Sequence, residues 1–106
     1  MADAQRESAA RLRDWLQRFQ RVFVLTGAGC STGSGIPDYR DARGEWKRKP
    51  PVDYRVYVAN PQVHARYWAR SFIGWPLMAA ARHNPAHRAL SHWQDAGGLS
   101  QLVTQN

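Results

Sequence analysis

The sequence predicts an α/β fold built on parallel strands. Three observations carry that prediction. Val22-Phe23-Val24-Leu25 is a short apolar run, β-branched or bulky, and too short for a helix. It runs directly into Gly27-Ala28-Gly29-Cys30-Ser31-Thr32-Gly33-Ser34-Gly35. A strand ending in such a loop is a phosphate cradle: glycines let backbone N–H groups approach an anion, and a following helix start adds its positive dipole end. A second strand pattern, Leu99–Thr104, follows helical segments, as alternating α/β chains require.

The elements follow in order. Residues 1–20 hold a leading helix over about 4–19, with Leu12, Trp15, Leu16 and Phe19 at i, i+3, i+4 and i+7 forming one apolar stripe. Arg11, Arg13, Asp14 and Arg18 fill its other faces, so it is predicted to be a surface helix packed against the sheet. Asp3, Glu7 and Asp14 argue against a mitochondrial presequence, and no apolar stretch of a secretory signal is present. Residues 22–40 contain the strand, the glycine loop and the stiff turn Gly35-Ile36-Pro37-Asp38-Tyr39-Arg40. Residues 41–59 have little periodicity and include Gly44, Pro50 and Pro51, which reads as a long flexible loop of the kind that serves as a lid.

The helical segment 60–98 carries two start signals. Asn60-Pro61 is an N-cap with proline at N1, opening a helix through about Phe72. Asn84-Pro85 repeats the signal and opens a helix to Ala96, with Ala86, Ala89, Leu90 and Trp93 as its apolar stripe. Gly97-Gly98 stops it, and residues 99–106 form the second strand and its exit.

A chain of 106 residues makes one domain and is too short for two. With 43% hydrophobic and 11% aromatic residues, a packed core is expected rather than disorder. No apolar stretch approaches the ~18 residues that span a bilayer, so no membrane partner is expected. One cysteine cannot form an internal disulfide, which is compatible with a reducing compartment, and cannot by itself build a structural zinc site. The net charge of +7 permits nucleic-acid binding or attraction to acidic partners. Its densest group, Arg43, Lys47, Arg48 and Lys49 around Trp46, lies in the loop with no nucleic-acid motif around it, so a solvated or ligand-covering loop is the favoured reading. Only two good strands are found, and the second is followed by nothing. A domain ending on what should be a central strand is expected to be incomplete, and the sequence to be truncated.

The glycine pattern alone is a weak fingerprint. Gly27 and Gly29 fit G-x-G-x-x-G, but Thr32 holds the third position and Gly33 comes one residue late. A glycine-rich turn with no ligand would read the same way. Gly-Ala-Gly-x-Ser followed by Gly-Ile-Pro-Asp-Tyr-Arg, however, resembles the sirtuin family of NAD-dependent protein deacylases. Val103-Thr104-Gln105-Asn106 resembles the start of that family's Thr-Gln-Asn-Ile/Val-Asp motif. The ordered motifs span residues 22 to 106.

The resemblance implies the N-terminal portion of a Rossmann-like parallel-sheet domain, with a zinc-binding module inserted later and absent from this chain. It implies NAD as cofactor, zinc only in the missing C-terminal part, and acylated protein lysines as partners. The implied reaction transfers the acyl group to ADP-ribose and releases nicotinamide. The family's catalytic histidine falls beyond Asn106, so the 106 residues alone are expected to be inactive. A bacterial-type cytoplasm is the expected location, with the mitochondrial matrix as the alternative. Two further readings stay open: protein mono-ADP-ribosyl transfer on the same fold, and a non-catalytic nucleotide- or nucleic-acid-binding fragment.

Candidate site residues divide by their warrant. After Gly27, the N–H groups of Ala28, Gly29 and Cys30 with the Ser31 hydroxyl are placed to bind a pyrophosphate. Arg40 is a second clamp, since guanidinium matches phosphate geometry, or else a surface salt bridge. By resemblance, Ile36 and Asp38 line the pocket for the nicotinamide end, and Tyr39, where many sirtuins carry Phe, covers the ribose. Gln105 and Asn106 lie at the C-terminal end of a strand, where α/β folds place ligands. By resemblance they hydrogen-bond the ribose, with Asn106 in a supporting catalytic role. The acid expected two places later is not in the chain.

Tyr67 and Arg70 are i, i+3 on a predicted helix and share a face, so together they can receive a carboxylate. A Tyr-x-x-Arg pair, Gly74-Trp75-Pro76 and Asn84-Pro-Ala-His-Arg-Ala-Leu resemble the class II sirtuin branch, where the pair is associated with acidic acyl groups. A core Tyr67 and a surface Arg70 is the plain alternative. Cys30 reads as a small apolar filler more than a redox sensor. His83 and His87 have metal-compatible i, i+4 spacing but no third ligand, which favours a solvated helix face.

Overall fold

The computed structural model describes residues 1–106. Its elements are α1 (Ala2–Leu16), β1 (Val22–Thr26), a 3-10 helix (Ala28–Ser34), α2 (Tyr54–Ala59), α3 (Pro61–Ala80), α4 (Pro85–Asp95) and β2 (Leu99–Thr104). β1 and β2 pair in parallel as a two-stranded sheet, the α/β class that the sequence predicts. Leu25 aligns with Val103 and Thr26 with Thr104, after an irregularity between Val22 and Phe23. The Gln105 N–H then donates to the Thr26 carbonyl at 3.1 Å. Both strands therefore end at the same level, and the residues leaving them are neighbours.

α4 is fixed at both ends. At its start the Asn84 side chain accepts from the N–H groups of Ala86 and His87, and the His87 ring accepts from the Asn84 N–H, which makes a capping box. His87 is thus a capping residue rather than a solvated helix position. At its end the Gly97 N–H donates to Gln94 and the Gly98 N–H to Trp93, with Gly97 at φ +83°. This is the Schellman arrangement, and the left-handed φ is what calls for glycine at 97. Gly98 is needed for a different reason: a Cβ there would lie 2.1 Å from Trp93 Nε1. The Gly98 carbonyl in turn accepts from the Val22 N–H, so the helix stop feeds straight into the sheet.

Two local expectations are corrected. α3 runs beyond Phe72 through Gly74 and Pro76 to Ala80. Proline forgoes one backbone bond, and the following Leu77-Met78-Ala79-Ala80 are strong helix formers that carry the helix on. The segment 41–59 is not wholly loop, because Asp53 caps the short helix α2 through the Arg55 N–H. An Arg40–Trp46 antiparallel bridge also closes a tight hairpin at its start. The glycine loop itself winds into the 3-10 helix, Ala28–Ser34.

The packed core is the largest difference. Only Leu99, Ser31 and Asn84 are buried. The accessible surface is 9456 Å², against about 6,000 Å² for a compact monomer of this mass. The radius of gyration is 17.9 Å, against about 13 Å for a compact domain of this length. The cause is the narrow sheet: two strands offer too little surface to bury a helix on each face. Val22 and Val24 are half-buried, while Phe23 and Leu25 on the opposite face are 57% and 62% exposed. Leu12 and Trp15 of α1, and Phe19 just beyond its end, stay about half exposed rather than packed on the sheet.

Candidate functional site

The site begins at the end of β1. Gly27 is extended, the chain tightens into the 3-10 helix, and Gly35 at φ +83° ends it. Ala28 and Gly29 occupy its first turn, where backbone N–H groups have no intrahelical acceptor. A Cβ at Gly29 would meet nothing within 4 Å, so that backbone is open to a ligand. At Gly27 a Cβ would come within 3.1 Å of Gln105 Nε2, which ties this glycine to the exit of β2. The Cys30 N–H is not available as predicted, because it donates to the Gly27 carbonyl at 3.1 Å and is spent on the turn itself.

Ser31 is buried, and its hydroxyl oxygen accepts from Asn106 Nδ2. The glycine turn and the end of β2 are therefore joined side chain to side chain across the strand ends. The Thr32 hydroxyl donates to the Gly29 carbonyl at 3.0 Å and stiffens the same turn.

Around this junction lies an open cleft of about 460 Å³. Ala28 and Gly29 come to it from the turn, Asp38, Tyr39 and Arg40 from the following segment, and Gln105 and Asn106 from the end of β2. Trp46 and Pro51 complete it. Of the predicted residues, Gly27, Cys30 and Ser31 stand behind the cleft as its frame, and the half-buried Ile36 does not reach it.

A hairpin from Tyr39 to Lys47 forms one wall. The Lys47 N–H donates to the Tyr39 carbonyl at 2.9 Å, and the Asp41 N–H to the Glu45 carbonyl at 2.8 Å. The Asp41 carboxylate accepts from the N–H groups of Arg43 (2.8 Å) and Glu45 (3.0 Å), and Gly44 takes φ +81° to close the turn. This pairing sets Arg40 opposite Trp46. Arg40 Nη1 donates to the Gly44 carbonyl at 2.7 Å, and the guanidinium lies 3.8 Å from the centroid of the Trp46 ring. One face and one edge of the guanidinium are thus fixed, and its remaining donors are left for an anion. Asp38 forms an ion pair with Lys47, so the acid in the cleft is matched by a cation from the hairpin.

Tyr67 and Arg70 do not line this cleft. Both lie on α3, where the Tyr67 ring meets the edges of Tyr57 and Trp68 at centroid distances of 5.2 and 5.9 Å. Arg70 takes part in no ion pair.

A backbone turn for an anion, a guanidinium held flat, and two amides at a parallel-strand exit converge here. The Sir2 family model matches residues 27–106, from the first glycine of the turn to the second of those amides. The chain belongs to the Sir2 family. Among relatives, it is 51% identical over 104 residues to the NAD-dependent protein deacetylase of Bordetella pertussis, covering 98% of this chain and 38% of the relative. It is 53% identical over 95 residues to NAD-dependent protein deacetylase 2 of Bradyrhizobium diazoefficiens, covering 90% and 35%. It is 49% identical over 98 residues to the NAD-dependent protein lipoamidase sirtuin-4, mitochondrial, of Bos taurus, covering 86% and 31%. The chain therefore spans about a third of the length of these curated relatives.

Two cleft residues, Trp46 and Pro51, are not singled out by the sequence reading, which places them only within the 41–59 loop of lid type. Trp46 had a local signal: Asp41 and Gly44 at turn spacing place residue 46 opposite Arg40. Pro51 had none.

Proposed function

We propose that this chain supplies the cofactor-binding part of an NAD-dependent protein-lysine deacylase. The observation that carries the reading is the convergence, in one cleft, of the Ala28-Gly29 turn, Arg40 and the Gln105-Asn106 amides. The donor set fits a dinucleotide. Open N–H groups at a helix start suit a pyrophosphate, and the planar fork of Arg40 gives it a second contact. Gln105 and Asn106 offer amide donors and acceptors to ribose hydroxyls. Tyr39 and Trp46 supply aromatic surface that excludes water from the ring they cover. When bound, NAD would supply an electrophilic ribose carbon for the acyl carbonyl oxygen, with nicotinamide as the leaving group.

This chain's residues bind and orient. Ser31 holds Asn106 by its side-chain amide, so the amide's orientation is fixed before a ligand arrives. Asp38 is assigned to the nicotinamide end. No histidine lies in the cleft, and we assign no turnover to these 106 residues alone. The printed names of the relatives, deacetylases and a lipoamidase, support protein lysines carrying acyl groups as the substrate class. A preference for acidic acyl groups is the finer proposal. It is supported by Tyr67 and Arg70 one turn apart on α3, with Arg70 lacking an ion-pair partner. The bacterial relatives favour a cytoplasmic setting, and no helix is long and apolar enough to cross a membrane.

The test uses the protein produced from its natural gene, with NAD and peptides bearing acetyl- and glutaryl-lysine. Mass spectrometry is expected to record loss of acyl mass with one nicotinamide released per acyl group removed. Acyl loss independent of NAD, or unchanged peptides under NAD consumption, would sink the reading.

A further inference from the structure

Asn84 is the most buried residue of the chain, at 5% exposure, yet it lies outside the cleft. Its side chain carries two separate duties. The carbonyl end accepts from Ala86 N (2.9 Å) and His87 N (3.4 Å), which caps α4. The amide end points the other way: Nδ2 donates to the Cys30 carbonyl at 2.9 Å and to Ser34 Oγ at 3.0 Å. Those two acceptors belong to the 3-10 helix that carries Ala28, Gly29 and Ser31. A Cβ at Gly33 would sit only 3.4 Å from the Asn84 side chain, so the turn lies directly against it.

We propose that Asn84 is a positioning residue for cofactor binding, acting through the glycine turn. Resting on the NAD reading above, the inference assigns it no contact with the cofactor. Its amide fixes the far side of the turn. The near side then presents the Ala28 and Gly29 backbone to the cleft and holds Ser31 where it receives Asn106. A capping residue needs only the carbonyl oxygen; the amide is what couples α4 to the turn. The coupling is fully satisfied, since no buried side-chain polar atom lacks a partner. Such a site tolerates little exchange of donor for acceptor.

Asn84→Asp separates the two duties. Aspartate caps a helix as well as asparagine, but sets an oxygen against the Cys30 carbonyl where a donor stood. Ser34→Ala removes one acceptor and leaves the other. The full-length protein is used, with two readouts. Hydrogen exchange of the ligand-free protein is expected to quicken at least tenfold across residues 30–36 in Asn84→Asp, with α4 amides within twofold of wild type. Titration with NAD is expected to give at least tenfold weaker binding in Asn84→Asp, and a smaller loss in Ser34→Ala. Unchanged exchange in the turn overturns the clip. Faster exchange with unaltered NAD affinity overturns the positioning role. Wild-type protein that does not bind NAD overturns the functional reading and the positioning role with it, while the exchange data still decide the clip.

Discussion

Arg40 offers the sharpest test of the cleft, because the structure separates what holds it from what it can hold. Its guanidinium donates to the Gly44 carbonyl at 2.7 Å and stacks 3.8 Å from the Trp46 ring centroid, leaving further N–H groups for a phosphate. On the NAD reading, Arg40→Ala removes a charge-assisted contact. Such hydrogen bonds contribute about 1.5–3 kcal/mol when well sheltered, and Arg40 is exposed, so about 1–2 kcal/mol is the reasonable share. NAD affinity should fall about five- to thirty-fold. Trp46→Ala leaves the charge but removes the stacking face, about 0.5–1 kcal/mol at an exposed site, and should cost about two- to five-fold. The double variant should lose less than the two effects summed, because Trp46 acts largely by orienting Arg40. Isothermal titration of the natural full-length protein at low and moderate salt reads all four corners. Arg40→Ala binding NAD within twofold of wild type would refute the phosphate-clamp assignment. Full additivity would refute the claim that Trp46 works through Arg40.

Three further predictions follow from the fold. Gly98→Ala places a Cβ 2.1 Å from Trp93 Nε1 and 2.5 Å from Cδ1, and the rigid indole must leave; the cost is about 1–3 kcal/mol, read as a lower urea midpoint with a moved Trp93 indole N–H resonance. Gly97→Ala acts by strain at φ +83° and should leave that resonance in place, so equal resonance shifts in both variants would contradict the two mechanisms. The polypeptide of these 106 residues, having three buried residues, is expected to bind a hydrophobic dye and melt without a cooperative transition. A sharp calorimetric peak would show that the exposed faces are covered by each other. Asp53 caps α2, and its hydrogen bonds with Arg55, side chain first and backbone second, hold its carboxyl below the ordinary value of 3.8. A lowered folded value means the cap's contribution is complete above the ordinary value and is lost as pH falls through the folded one. An NMR titration should therefore find Asp53 below 3.8, with α2 amide signals moving in the same acid window. A midpoint at or above the ordinary value would contradict the cap.

Local hydrogen bonding was legible in the chain. Asn60-Pro61 and Asn84-Pro85 announced helix starts, Gly97-Gly98 announced a stop, and Val22 and Leu99 opened strands where the structure places them. These signals act over a few residues, where spacing fixes which groups can meet. The turn at Gly27–Gly35 was legible for the same reason, as the glycines that allow it lie close together in the chain. Only the tertiary structure decided what those motifs meet. Parallel register puts Thr26 beside Thr104, and this alone brings Gln105 and Asn106 to Ala28 and Gly29. It gave Asn84 a second task 54 residues away. It also left Phe23 and Leu25 with Leu12, Trp15 and Phe19 largely in solvent, although an apolar run and a helical stripe marked them for burial. Periodicity states which face is apolar; whether that face is covered depends on surface that distant residues must supply.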